Sequence, residues 1–398
     1  MSVSTKSPAN PAGNATGNIT CSVEFELLCR IAQPQPDLAR VLEMLRAGVD
    51  FPELIELAAE HGVRPQLIGG LQSLSWEAVP AAARGSLEDY HRFHCARALS
   101  LSEELCRVAA AFAAKGLRLA AFKGPALAVA LYGDVSRREY ADLDILVPEP
   151  EVDQSERLLD SLGYHGDAGD RAFRRAFLGY LRQCAFVHPG IDAAIDLHWD
   201  FSGIHVPFPL TPAEVWRDLA QVSIGDYAIA TVSGANLALL LAGHGTKEAW
   251  RCLGWVCDFA LLVDRHPEFD WLEVHRRGKA RGCGDTVLLG CAMALELLEV
   301  PVPPVLRDPI AASARVRALA SSLSHELRQG LPLPTPDRHF SDLDLCDSWL
   351  DKLKAVIRLV LTRTTGDYEA MKLPQALWPM YYATRPFRLA AKALAALR

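Results

Sequence analysis

No two of the ten cysteines in this 398-residue chain stand at Cys-x-x-Cys spacing, which removes the usual zinc-ribbon and thioredoxin-type readings. The opening residues contain no apolar run of the kind that marks a secretory signal. The cysteines are therefore expected to be buried or free thiols in a reducing cytoplasm. Long hydrophobic runs are equally scarce. The most apolar stretch, Leu237–Val263, is interrupted by His244, Lys247, Glu248, Arg251 and Asp258. It falls short of the ~18 uninterrupted residues that a membrane span needs, so no membrane helix is expected. An excess of positive charge is missing as well, with 41 Lys and Arg against 48 Asp and Glu, a net −7. The chain thus has no broad basic footprint, and a nucleic-acid partner is not favoured, although a local groove stays open as an alternative. No internal repeat is found.

What is present is ordinary globular material, 50% apolar and 22% charged, with enough length for two or three domains. Residues 1–20, rich in Ser, Thr, Asn, Pro, Gly and Ala, read as a disordered tail. Residues 21–115 read as an N-terminal helical region. Val23–Ile31, Leu38–Ala47 and Phe51–His61 carry apolar positions three and four apart, with Asp37 and Asp50 placed as caps. A long helix is expected from Pro80 to Lys115. His91, His94 and Cys95 share one of its faces, but no further ligand completes a zinc set there, so packing is the reading.

Residues 116–205 read as a small α/β unit. Leu117–Phe122 and Leu143–Val147 are expected strands, and Val152–Leu162 a helix. Phe173–Phe177, Cys184–His188 and Ala193–Trp199 are further short strands, the last two joined through Pro189–Asp192. Residues 206–398 read as a C-terminal helical domain. It opens on a capping box, Thr211-Pro212-Ala213-Glu214, and ends in a tail with Trp378, Tyr381 and Tyr382 that is expected to dock on the core rather than on a membrane surface.

The chemistry concentrates on Asp142-Leu143-Asp144. Residues two apart on a strand share a face, so both carboxylates point one way while Leu143 and Ile145 point into the core. Adjacent buried anions need a cation between them or a shifted pKa, and oxygen-rich pairs of this kind suit magnesium. The pattern alone also fits a solvated strand entrance. Asp342-Leu343-Asp344 repeats it without a glycine turn ahead, and there a solvated cap is the better reading. The first copy has Lys123-Gly124 and the basic turn Arg137-Arg138 upstream. Downstream, Ile195-Asp196-Leu197-His198-Trp199 places Asp196 and His198 together on one face of a strand. If that strand lies beside the first, three carboxylates meet on one sheet surface. His198 then has two readings, a proton or phosphate contact or a bond to neighbouring backbone. His244 and Lys247, one helical turn apart, are candidates to line the cleft from the other side, with a surface role as the alternative.

Lys123-Gly124, Leu131-Tyr132, Arg137, Asp142-Leu143-Asp144-Ile145-Leu146-Val147, Leu162-Gly163-Tyr164 and Ile195–Trp199 together resemble the nucleotidyltransferase superfamily. The closest likeness is to its group of uncharacterised nucleotidyltransferases, some encoded beside lasso-peptide genes. His244-Gly245, Trp250, Leu253, Asp258 and Arg385-Pro386 fit the helical half of that group. The resemblance implies an α+β fold, a small mixed-sheet nucleotidyltransferase core flanked by N-terminal and C-terminal helical regions. It implies Asp142, Asp144 and Asp196 as catalytic residues and metal ligands for a two-ion Mg2+ site. Lys123, Gly124, Arg137, Arg138, His198, His244 and Lys247 would contact the nucleotide. The implied reaction moves a nucleoside monophosphate from a nucleoside triphosphate, taken as ATP, to a hydroxyl acceptor with release of pyrophosphate. The acceptor would be a small molecule, a peptide or protein, or RNA. Pro125 stands where the superfamily has a serine, and the spacing from turn to carboxylates is longer than usual. Lys123 would then replace the hydroxyl as a point charge. The alternative is a catalytically inactive nucleotide-binding or interaction protein on the same scaffold.

Overall fold

In a computed structural model the described residues are 22–166, 171–203, 207–330 and 346–396. The expected tail at 1–20 and the second Asp-Leu-Asp at 342–344 lie outside them. The fold is α+β: a seven-stranded mixed sheet surrounded by helices.

The N-terminal helices form where the apolar periodicity placed them. Asp37 accepts from the backbone of Ala39 and Arg40, and Asp50 from that of Glu53, so each satisfies amides that a helix start leaves unpaired. A single 34-residue helix, Ala81–Ala114, follows. On it, His94 Nε2 bonds the Ser136 carbonyl at 3.0 Å, and His91 contacts Cys95 Sγ.

The strands are β1 (Ala120–Ala121), β2 (Asp142–Leu146), β3 (His165–Gly166), β4 (Gln183–His188), β5 (Ile191–His198), β6 (Leu219–Ile224) and β7 (Tyr227–Val232). Their order is β3-β4-β5-β2-β1-β7-β6. β2 runs parallel to β5 and antiparallel to β1. Leu143 and Ile145, on one face of β2, pack in a core with Leu101, Leu105, Val108 and Phe112 of the long helix. A second core joins the N-terminal helices to Leu237–Ala242 and to the helices Leu253–Arg265 and Asp285–Leu298. Helices from before and after the sheet in sequence are thus packed into one hydrophobic cluster.

Two expectations are corrected. Residues 173–177, expected as a strand, lie in and just after a helix, Arg171–Ala176. Helical spacing brings Phe173 and Phe177 to 4.7 Å between ring centroids and sets Arg174 against buried Glu156 at 3.0 Å. A strand would leave Phe173 and Phe177 on one face but about 13 Å apart along the chain, too far for the rings to touch. Second, the stretch after Thr211 is not helical throughout. The capping box forms at Pro212–Arg217, but β6 and β7 follow as a hairpin turning on Gly225, at φ +56°. β7 pairs in parallel with β1, so the sheet extends past residue 205 to Val232.

At the C-terminus, Trp378 and Tyr381 pack with Phe177 as a small separate core. Arg385 pairs with Asp367 at 2.6 Å, each 1% exposed. Among the described residues no helix is long and apolar enough to cross a membrane.

Candidate active site

The sheet register decides which carboxylates meet. Across the parallel β2–β5 ladder, Asp144 lies opposite Asp196 and Asp142 opposite Ala194. Partners directly opposite share a face, so the two aspartates sit side by side, while the small Ala194 leaves space beside Asp142. His198 follows Asp196 by two residues on the same face, and its Nε2 is 3.1 Å from Asp144 Oδ1. Asp144, Asp196 and His198 each offer a ligand atom within 4.8 Å of the others. The sequence left His198 between a proton or phosphate contact and a bond to neighbouring backbone. The ladder makes it a member of the acidic cluster.

Lys123 reaches the same group. It is extended at the N-cap of the helix Gly124–Tyr132, and its Nζ lies 3.4 Å from Asp144 Oδ1. Gly124 has φ +54°, and a Cβ there would stand 3.1 Å from the Asp142 carbonyl oxygen. Only glycine lets the first helical turn close this tightly on the start of β2. Pro125 occupies that first turn, where a missing N–H costs nothing.

Lys123, Asp142, Asp144, Asp196, His198, His244 and Lys247 line one cavity of about 190 Å³. Its remaining wall includes Phe122, Phe201, Phe208 and Leu240. Gln183 and Glu248 complete it, with Gln183 Nε2 donating to Asp196 Oδ2 at 3.4 Å. The sequence reading did not single out these six residues. Gln183 pairs with His198 across β4–β5, and that register is not legible from the chain alone. Arg138 does not line this cavity: its Nε donates to Asp258 Oδ2 at 2.9 Å, with both side chains largely buried. Tyr132 donates to the other oxygen of Asp258 at 2.8 Å. Arg137, the next residue of the basic turn, lines a separate cavity.

The site is electrostatically loaded. Burial, then the fields of Asp144 and Asp196, push the Asp142 carboxyl up to about 6. Burial would raise Asp144 too, but Lys123 and the His198 hydrogen bond hold it well below the usual carboxylate range. Burial, followed by the charges of Lys123 and Lys247, holds His244 well below its ordinary value, so at neutral pH its imidazole is uncharged. A divalent cation fits this donor set. Hard carboxylate oxygens predominate, a cation would relieve the repulsion that raises Asp142, and buried His198 Nδ1 has no hydrogen-bond partner.

No curated protein matches the chain. A family model does, across residues 47–299, well over half the chain and including all the cavity residues. The chain therefore belongs to the family described as uncharacterised nucleotidyltransferase, a transferase family whose donor is a nucleoside triphosphate.

Proposed function

We propose that the protein is a Mg2+-dependent enzyme that transfers a nucleoside monophosphate to a hydroxyl acceptor. The observation that carries this reading is the convergence of Asp144, Asp196 and His198 within 4.8 Å, beside Asp142 and under Lys123. Magnesium held by Asp142, Asp144 and Asp196 would neutralise triphosphate charge and lower the pKa of the acceptor hydroxyl. The chain's own groups supply the rest. Lys123 and Lys247 both line the cavity, placed to contact phosphate oxygens as the negative charge moves towards the leaving group. His198 orients Asp144 through its 3.1 Å contact, and Gln183 orients Asp196.

In the reaction the acceptor oxygen bonds to the α-phosphorus, the bond from that phosphorus to the β-bridging oxygen breaks, and pyrophosphate leaves. The hydroxyl proton passes to a carboxylate of the cluster, for which Asp196, less buried than Asp144 and His198, is the candidate. Neutral His244 donates a hydrogen bond without adding charge. With net charge −7, a small-molecule or peptide hydroxyl suits the protein better as acceptor than RNA.

A second reading rests on Pro125, which removes both a hydroxyl and an N–H from the turn facing the phosphates. It makes the protein a binder of nucleotides that does not turn them over. Incubation with labelled nucleoside triphosphates and Mg2+ separates the two. Transfer predicts pyrophosphate release that disappears in Asp142→Asn and Asp144→Asn. Nucleotide binding with no release across hydroxyl acceptors would favour the second reading.

A further inference from the structure

A second cavity is larger than the acidic one. A space of about 290 Å³ opens at the far end of the Gly124–Tyr132 helix, between the turn at Gln33–Pro36 and the helix Arg64–Ser73. Its lining holds two arginines, Arg137 and Arg265, and no aspartate or glutamate, in a protein that is acidic overall. The Arg265 guanidinium donates to the Leu131 carbonyl, which fixes its position, and the field of Arg137 is felt at Asp134. Neither guanidinium closes an ion pair among the described residues. Pro34, Pro36 and Pro65 give the lining an apolar, stiff part, since their rings restrict the backbone.

We propose that this cavity binds a small organic anion, a carboxylate or phosphate head on a compact apolar body. The head meets the Arg137 and Arg265 guanidinia, which suit both oxyanions, and the body lies against the proline wall. The site is distinct from the transfer site. Gly124 and Tyr132 stand at the two ends of a nine-residue helix, about 12 Å apart at 1.5 Å per residue, too far for a ligand here to supply a reacting atom. A chain of buried groups lies between the two. Tyr132 lines the cavity and bonds Asp258, which holds Arg138, and Arg138 bears electrostatically on Asp142.

The test is calorimetric titration of the full chain with phenyl phosphate and, separately, benzoate, in EDTA. Without a divalent ion the carboxylates of the acidic cavity repel anions. The two probes distinguish a phosphate from a carboxylate head, and phenol serves as the neutral control. At least one anion is expected to bind with one-to-one stoichiometry and more tightly than phenol. Arg137→Gln and Arg265→Gln should each weaken it by about tenfold or more, and Asp144→Asn should leave it unchanged. Gly69→Phe should abolish binding, because Gly69 lines the cavity on a helix and a Cβ there meets nothing within 4 Å. Absence of binding by both anions up to ~10 mM, affinity equal to wild type in both glutamine variants, or loss in Asp144→Asn instead would overturn the proposal. The arginine variants decide the matter should Gly69→Phe fail to fold.

Discussion

Arg138 is the residue at which stability and catalysis separate most cleanly. Its guanidinium and the Asp258 carboxylate are 12% and 3% exposed, at 2.9 Å, and Tyr132 closes the triad from the second carboxylate oxygen. Asp258→Ala leaves a buried guanidinium uncompensated and a buried phenol unpaired. Orphaning a buried charge costs about 3–5 kcal/mol, and the lost hydroxyl partner adds about 1 kcal/mol. The expected loss is therefore about 4–6 kcal/mol, a large part of the usual stability of a domain. Replacing both charges, in Arg138→Met/Asp258→Leu, removes the orphan and should recover most of that loss. Urea unfolding followed by circular dichroism measures both. A cost below about 1 kcal/mol for Asp258→Ala, or a double variant no more stable than the single, would refute the reasoning. Nucleotide affinity in the double variant supplies the functional half. An Arg138 that acts through Asp258 predicts affinity near wild type, whereas direct phosphate contact predicts a loss of about tenfold or more.

Other perturbations follow from the same geometry. Lys123→Met should raise the KM for the triphosphate about tenfold, with partial rescue in Lys123→Arg; an unchanged KM would remove Lys123 from the phosphate site. Gly124→Ala places an L-residue at φ +54° and a Cβ 3.1 Å from Asp142, so it should cost about 1–2 kcal/mol and depress kcat, and wild-type kinetics would count against the tight turn. His61 is buried, its Nδ1 lacks a partner, and burial lowers its pKa to about 4. The unfolded chain therefore takes up a proton near pH 6.5 that the folded chain refuses until about pH 4. Stability should fall across that window by about 1.4 kcal/mol per pH unit, and the decline should be shallower in His61→Leu; equal slopes would contradict it. Asp367→Ala removes the carboxylate that Arg385 and Arg388 share and should release Trp378 and Tyr381 from Phe177, read as faster amide exchange over 365–390 than in wild type.

The acidic strand was legible because strand geometry is local. Alternation along Asp142–Leu146 already separates a carboxylate face from a core face, and the same rule pairs Asp196 with His198. What alternation cannot give is register. That Asp144 stands opposite Asp196, and so brings His198 onto it, depends on how two strands 52 residues apart align. The same limit explains Arg138, whose partner Asp258 lies 120 residues away. The β6–β7 hairpin does leave a local mark, a Gly225-Asp226 turn between alternating stretches, but the stronger helical pattern on both sides masks it. Phe173–Phe177 failed for another reason. Its apolar residues suit either period, and the choice was made by Glu156 and the aromatic cluster around Trp378, contacts that only the folded chain supplies.

The proposed transfer requires the acidic face of β2 and β5 to hold divalent ions. Electron paramagnetic resonance titration of Mn2+, a spectroscopic stand-in for Mg2+, tests this with a non-hydrolysable nucleoside triphosphate present. Protein-bound Mn2+ is expected in the wild type, with its affinity reduced about 100-fold in Asp144→Asn and in Asp196→Asn. A Mn2+ isotherm in those two variants that superimposes on the wild type would contradict the central claim.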